Sequence, residues 1–210
     1  MSDKYALNTN PAAWFRSKRP SCLIRFPHQS GSIPKESLGG NIFRVTSKPV
    51  EVDMVGSFLE VTVSGDGNKS PARFLPWEDN GCAFFKIDDS ADIVWTTQLS
   101  GCNMYVYKTT GPGGGIWLFH SNSNASASDA AENNLAKRTL AGAARNHVTG
   151  TGDGLWDLSL ERGVQPFYPA GAAAGIFFGQ RTKSVNGGDD RWEFSLFDPV
   201  ERLRYGVGMV

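Results

Sequence analysis

The clearest pattern in this chain is the segment NMYVYKTTGPGGGIWLFH, which spans residues 103–120. Two runs rich in aromatic and β-branched residues, Asn103 to Tyr107 and Ile116 to His120, flank the glycine-rich segment Gly111 to Gly115. Such runs are typical of strands, and a cluster of glycine and proline between them is typical of a turn. Residues 103–120 therefore predict an antiparallel β-hairpin. A phosphate loop is not favoured, because the glycines lack the Lys-Ser/Thr pair and the helix that follow them in such loops.

The predicted hairpin brings a cysteine and a histidine to its open end. If its register is symmetric about the turn, Cys102 lies directly opposite His120, on the same face of the sheet. An imidazolium next to a thiol stabilises the thiolate and can later donate its proton to a leaving group. Gly101 suits such a site, since glycine lets the backbone approach a substrate and turn an N–H toward an oxyanion. The alternative is a small core cysteine beside a structural histidine, and a bulge would change the pairing.

The segment Leu99-Ser100-Gly101-Cys102, followed by a strand, a glycine-rich turn and a strand ending in His120, resembles the catalytic segment of bacterial toxin glutamine deamidases. These are the deamidases of the cytotoxic necrotizing factor and Burkholderia lethal factor 1 type. Phe74-Leu75-Pro76-Trp77 and Gly154-Leu155-Trp156-Asp157-Leu158-Ser159 extend the resemblance on either side. The interval from cysteine to histidine is longer than in that family. An insertion at the hairpin tip accommodates the excess, because it moves neither strand.

The resemblance implies a role for each residue of the site. Cys102 is the nucleophile, His120 the general base and acid, and Thr96 orients the imidazole through its hydroxyl or its backbone carbonyl. Ser100 and Gly101 support the oxyanion from the backbone. The implied reaction converts a glutamine side chain of a host protein to glutamate through a thioester, with neither a metal nor a cofactor. Taken alone, a strand threonine is more often structural. No substrate-binding residues are identified.

The resemblance also implies a partner, namely a host protein. A DEAD-box RNA helicase of translation initiation is the first choice, and a Rho-family GTPase the second. The same dyad fits a transglutaminase or a cysteine hydrolase, and a non-catalytic β-rich protein-binding domain is the alternative from another class. The 21 basic residues balance the 21 acidic ones, so no global field favours nucleic acid or an anionic membrane. We expect a monomer that binds neither nucleic acid nor a membrane directly.

Three cysteines cannot form a complete set of disulfides, which favours a reducing compartment. Cys22 and Cys82 stand beside apolar residues and are predicted to be buried, inert thiols. The first twenty residues contain no uninterrupted apolar run and carry Arg16, Lys18 and Arg19, which does not fit an ordinary secretory signal peptide. The resemblance then implies the bacterial cytoplasm before release and the host cytosol when the protein acts.

Length and composition predict one domain, residues 1–210, since 210 residues with 40% hydrophobic side chains can form one proper core. Two histidines, His28 and His147, lack metal-ligand spacing and are predicted to be surface or structural residues. The polar segment 121–128 next to His120 is predicted to be a solvated connector, and its position would also suit the rim of a site for a protein substrate.

Periodicity and capping signals predict two helices. One begins after Asn10 with Pro11 in its first turn, and the other spans Ala130 to Arg145 with Asp129 and Glu132 as a capping box. Further β-rich runs are predicted in the segments Val50 to Val63 with a break at 55–57, Ile176 to Arg181, and Arg191 to Phe197. These elements predict an α/β protein built mainly on antiparallel or mixed sheets. The resemblance implies a sandwich of such sheets with flanking helices and loops.

Overall fold

The computed structural model describes residues 2–18, 25–30, 33–56, 58–64, 70–99, 101–123, 130–152, 154–158, 175–184, 190–198 and 203–210. In chain order, the elements of this part are α1 (Asp3–Leu7), α2 (Pro11–Lys18), β1 (Arg25–Ser30), β2 (Lys35–Ser37), β3 (Ile42–Val45), β4 (Pro49–Val55), β5 (Phe58–Val63), β6 (Ala72–Leu75), β7 (Cys82–Lys86), β8 (Ile93–Leu99), β9 (Asn103–Thr109), β10 (Gly115–Ser121), α3 (Ala130–Arg145), β11 (Trp156–Asp157), β12 (Gly175–Thr182), β13 (Arg191–Asp198) and β14 (Leu203–Met209).

The described strands form two mixed sheets. The eight-stranded sheet has the order β1-β5-β4-β6-β8-β12-β13-β14, and the six-stranded sheet has the order β11-β9-β10-β7-β3-β2. The pairs β1/β5, β6/β8 and β3/β7 are parallel, and the other neighbours are antiparallel. One apolar core contains buried residues from both sheets, for example Val61 and Phe74 from the larger and Phe85 and Leu118 from the smaller. The predicted fold class, an α/β sandwich of mixed sheets with flanking helices, is confirmed.

Each sheet also carries a helix on its outer face. Phe15 of α2 stacks on Phe178 at 5.1 Å and on Phe197 at 4.5 Å between ring centroids, which covers the larger sheet. Ala141 and Ala144 of α3 belong to a second buried cluster with Phe119 and other side chains of the smaller sheet. Burying one such phenylalanine contributes roughly 1.5–3 kcal/mol. Consecutive residues are buried in several strands, as in the burial of all four residues of β6, whereas burial alternates along β4 and β5, which are covered on one face only.

The local signals in the sequence located several elements correctly. Asn10 caps α2 by accepting a hydrogen bond from the Ala13 N–H at 3.0 Å, and α3 spans Ala130–Arg145 as predicted. The break between β4 and β5 contains Gly56 with φ of 62°, a conformation that glycine adopts at little cost. The strands predicted near residues 176 and 191 correspond to β12 and β13. The predicted capping role of Asp129 lies outside the described residues.

Candidate active site

The hairpin forms, but its register differs from the symmetric one. His120 pairs with Met104 and Leu118 with Val106, so His120 is not directly opposite Cys102, and that part of the prediction is wrong. The strands extend to Thr109 and Gly115, which moves the centre of the turn by one residue. The Thr109 hydroxyl stabilises this arrangement, because it accepts a hydrogen bond from the Gly115 N–H at 3.0 Å and donates one to the Gly115 carbonyl oxygen at 3.2 Å.

A two-residue shift in register preserves the face on which each side chain lies, because the period of a strand is two. Met104 and Leu118 belong to the core between the sheets, whereas Tyr105 and Phe119 belong to the cluster under α3. His120 therefore shares the inner face with Leu118. Cys102, which directly precedes β9, also belongs to the core between the sheets. The cysteine and histidine are diagonal neighbours on this face rather than a facing pair.

Thr96 reaches His120 from the opposite sheet. Trp95 of β8 points outward toward Phe15 of α2, with 6.1 Å between ring centroids, so the next residue points inward. The Thr96 hydroxyl oxygen lies 2.8 Å from Nδ1 of His120, and it donates a hydrogen bond to the carbonyl oxygen of Leu75 at 2.6 Å. A polar contact between buried side chains thus connects β8 of one sheet with β10 of the other. The structure brings Thr96 and His120 together through the threonine hydroxyl.

These two hydrogen bonds define the tautomer of the imidazole. A hydroxyl has one proton, and Thr96 donates it to Leu75. Its oxygen must then accept the second hydrogen bond, so Nδ1 of His120 carries a proton. In the neutral ring, Nε2 is consequently the nitrogen with the free lone pair. Nε2 is buried and makes no hydrogen bond to any described residue.

His120 is fully buried, and desolvation lowers its pKa to about 3. The imidazole of this structure is therefore neutral near pH 7. A neutral imidazole with its lone pair on Nε2 can accept a proton, whereas an imidazolium could not. The arrangement is a buried, neutral imidazole whose orientation is set by Thr96 and whose Nε2 lone pair is not used by any described residue.

Cys102 is 8% exposed and His120 is 0% exposed, so Cys102 is the more accessible of the two residues. The residue before the cysteine, Gly101, has φ of 108°, a conformation that side chains with a Cβ rarely adopt. The carbonyl of Gly101 accepts a hydrogen bond from the ammonium of Lys137. Ser100, the other predicted backbone support, lies outside the described residues.

The remaining predicted residues fall in different places. Cys82 is fully buried on β7, where burial raises the pKa of its thiol and a hydrogen bond with Ser121 opposes that shift. The prediction of a buried thiol is confirmed for Cys82, and Cys22 lies outside the described residues. His147 is exposed, as expected for a surface histidine. Within the described ranges, no helix is long and apolar enough to cross a membrane.

Lys137 is the neighbour of the candidate site that the sequence analysis missed. A signal for it was present in α3, because residues 137, 141 and 144 are spaced by four and three and thus lie on one helical face. Ala141 and Ala144 of that face are fully buried, and Lys137 is 6% exposed. A lysine on the buried, alanine-rich face of a helix is an anomaly that points to a specific contact.

A cleft of about 800 Å³ opens farther along β9, and the predicted catalytic residues do not line it. Its lining comes from alternate residues along β9 and just after it, from the loop before β11 and from the last residue of the chain: Val106, Lys108, Thr110, Thr151, Gly152, Gly154, Leu155 and Val210.

The two outer sequence anchors flank the candidate site in space. Leu75, from the first anchor, supplies the carbonyl that receives the Thr96 hydroxyl. In the second anchor, β11 pairs with β9, and the Leu158 N–H donates to the Met104 carbonyl at 2.9 Å.

Comparison with known proteins finds no match for the chain among protein families, curated proteins or solved structures.

Proposed function

We propose that this protein is a toxin-like glutamine deamidase that acts on a host protein. The observation that carries the proposal is the hydrogen bond between the Thr96 hydroxyl and Nδ1 of His120. It holds the imidazole on the inner face that Cys102 shares and leaves the lone pair on Nε2. A cysteine, a histidine base and a third group that orients the base are the components of an activated nucleophile. Nε2 of His120 makes no hydrogen bond to the Cys102 thiol in this structure, so the proposal requires the thiol to turn toward Nε2 when the substrate binds. The sequence anchors also occur in the same order as in the toxin deamidases, and this resemblance supports the proposal.

The reaction follows from these groups. As the Cys102 sulfur attacks the γ-carbonyl carbon of a glutamine, Nε2 of His120 accepts the thiol proton, and the carbonyl oxygen becomes an oxyanion. Collapse of this intermediate breaks the C–N bond, and Nε2 returns the proton to the departing ammonia. Water then attacks the thioester and gives its proton to Nε2, which passes it to the sulfur as glutamate forms. Nδ1 of His120 keeps its proton, hydrogen-bonded to the Thr96 oxygen, throughout, so only Nε2 exchanges protons.

Burial of the imidazole favours a specific starting state. Because desolvation keeps His120 neutral, the proton moves to Nε2 as the sulfur attacks, and the imidazolium need form only beside the developing negative charge. Water exclusion strengthens that electrostatic interaction. The sequence-based expectation of an imidazolium already present beside the thiol is replaced by this order of events.

The substrate assignment rests on the resemblance. A DEAD-box RNA helicase of translation initiation is the first candidate, and a Rho-family GTPase is the second. A thioester can be resolved by water or by an amine, so transglutaminase activity uses the same dyad. The burial of both His120 and Cys102 favours one competing function, a non-catalytic β-rich binding domain in which these residues only fill the core.

Mass spectrometry of a treated cytosolic extract tests the proposal. Extract from eukaryotic cells is incubated with the wild-type protein, with Cys102→Ser or with Cys82→Ala, in the presence of an isotopically labelled primary amine. We expect glutamine-to-glutamate conversion at specific sites with the wild type and with Cys82→Ala, and none with Cys102→Ser. An alcohol in place of the thiol is too weakly acidic for the same base to activate.

The other outcomes each reject a defined part of the proposal. Incorporation of the labelled amine that depends on Cys102 identifies a transamidase instead of a deamidase. If neither product depends on Cys102 while Cys102→Ser remains folded, the deamidase proposal is rejected in favour of the binding domain.

A further inference from the structure

Lys137 is a lysine in an environment that would ordinarily be apolar. It is 6% exposed, on the face of α3 that packs against the smaller sheet. Its ammonium donates to the Gly101 carbonyl, and its own backbone carbonyl accepts from the Ser121 hydroxyl at 2.9 Å. Burying an ammonium is costly unless it is hydrogen-bonded or paired. An alanine or leucine would fill such a position without that cost.

The contact of Lys137 is one peptide bond from Cys102. The peptide between Gly101 and Cys102 is planar, so fixing its carbonyl oxygen also fixes the direction of the Cys102 N–H and the position of its Cα. Gly101 itself has φ of 108°, a conformation open mainly to glycine, and the hydrogen bond from Lys137 restrains the backbone at this point. Standard bond lengths place Nζ within about 9 Å of the Cys102 sulfur.

The side chains near Cys102 come from three different elements, and they differ in charge. His120 from β10 is neutral because it is buried, Lys137 comes from α3, and the side chain of Thr96 from β8 is uncharged. A thiolate is stabilised by a nearby cation. The ammonium of Lys137 can supply this cation, since the buried imidazole does not carry a charge before the reaction.

We propose that Lys137 is a positioning residue for Cys102, which fixes the Gly101–Cys102 peptide from the α3 side of the smaller sheet and places a buried positive charge within about 9 Å of the reacting sulfur. This role rests on the proposed function of Cys102 as a nucleophile. In this account, Lys137 of α3 orients the thiol, and Thr96 of β8 orients the base. The two sheets and the helix then each contribute one component of the same site.

A titration of the Cys102 thiolate tests the role of Lys137. The thiolate absorbance in the ultraviolet is followed as a function of pH, and the signal of the matching Cys102→Ser variant is subtracted. We compare wild type, Lys137→Met, Lys137→Arg and, as a control on the exposed face of the same helix, Arg138→Met. Removal of the charge should raise the titration midpoint in Lys137→Met by about one pH unit, equivalent to a tenfold change in the ionisation constant. Lys137→Arg should recover most of this difference, and Arg138→Met should match the wild type.

A stability measurement separates this role from a purely structural one. Urea unfolding is measured for each variant, because a buried lysine can also contribute to folding. If Lys137→Met folds and its thiolate titrates at the wild-type midpoint, the proposal is overturned. Should Lys137→Met fail to fold, Lys137→Gln, which keeps a donor without the charge, takes its place. A raised midpoint in that variant supports the proposal and an unchanged midpoint overturns it.

The titration is also independent of the deamidation reaction, because it needs no substrate. A raised midpoint in the charge-free variant would support Lys137 even if no deamidation were found, and the proposed reaction would then fail alone. Conversely, normal Cys102-dependent deamidation by Lys137→Met would overturn the role of Lys137 and leave the proposed reaction intact.

Discussion

The orientation of His120 depends on a single hydroxyl. Thr96 uses its one proton on the carbonyl oxygen of Leu75 and accepts from Nδ1 of His120. This arrangement selects one tautomer of a neutral imidazole and directs the lone pair to Nε2. The sequence-based expectation left open whether Thr96 acts through its hydroxyl or its backbone carbonyl, and the observed contact is made by the hydroxyl.

Thr96→Val tests the importance of this hydroxyl, because valine has nearly the same shape. The change leaves Nδ1–H and the Leu75 carbonyl without their buried partner, so we expect a loss of about 1–3 kcal/mol in the free energy of unfolding. We also expect a mixture of imidazole tautomers, visible in the nitrogen chemical shifts of His120. Thr109→Val, which removes a buried hydroxyl from β9, is the matched control. It should lower stability without changing the His120 spectrum, and an unchanged spectrum in Thr96→Val would contradict the account.

At the scale of elements, local patterns located the hairpin but could not determine its register. The register depends on where the paired residues end, and Thr109 and Gly115 extend the ladder beyond the β-rich runs. Threonine next to a glycine-rich turn is compatible with either strand or loop, so the pattern alone does not distinguish the two registers. The bounds of α3 were predictable because its 3.6-residue periodicity continues over the entire helix.

The contact between Thr96 and His120 was beyond any local pattern. These residues lie on strands of different sheets, 24 residues apart in sequence. Their contact depends on how the sheets stack, which is set by the whole set of side chains in the core. Here the resemblance suggested a relationship between them, whereas periodicity and spacing did not. The position of Lys137 was in principle visible in the spacing of the buried face of α3.

A strand glycine gives a test of how tightly β12 packs within the larger sheet. A Cβ at Gly179 would lie 2.7 Å from atoms of both Phe194 and Val94, whereas a Cβ at Gly206 of β14 meets nothing within 4 Å. We expect Gly179→Ala to lower the free energy of unfolding by about 1–3 kcal/mol through overpacking. Gly206→Ala should be close to neutral, because it mainly restricts the unfolded chain. Equal effects of the two substitutions in urea unfolding would contradict the packing of β12.

Across the whole molecule, buried groups with shifted pKa values predict a loss of stability in acid. Desolvation lowers the pKa of His120 from 6.5 to about 3, so the unfolded chain binds a proton below pH 6.5 that the folded chain does not. Stability should therefore decline as the pH falls from about 6.5 to about 3, by an amount on the order of 3–5 kcal/mol for this group.

His120→Asn isolates this contribution to acid stability. Asparagine can keep a donor to Thr96 but does not titrate, so the decline from pH 6.5 to 4.5 should be much shallower in this variant. Urea unfolding over that pH range provides the measurement, and parallel curves for both proteins would contradict a buried, neutral His120.

The range from pH 6.5 to 4.5 avoids the titration of Asp88. Partial burial opposes ionisation of the Asp88 carboxyl. Hydrogen bonds from Arg73 and Ser90 outweigh this desolvation and lower the pKa of Asp88 to about 2. The stabilisation from Asp88 is present above about pH 3.8 and is lost only as the pH falls through about 2.

The central claim is that Nε2 of His120 activates the thiol of Cys102, and cysteine-resolved alkylation tests it most directly. The folded protein is treated with iodoacetamide near pH 7, and peptide mass spectrometry follows Cys102 and Cys82 separately. Cys102 should react at least about tenfold faster than Cys82, and His120→Asn should remove most of this advantage without changing the rate at Cys82. Equal rates at the two cysteines, or a Cys102 rate that is the same in His120→Asn, would contradict the claim.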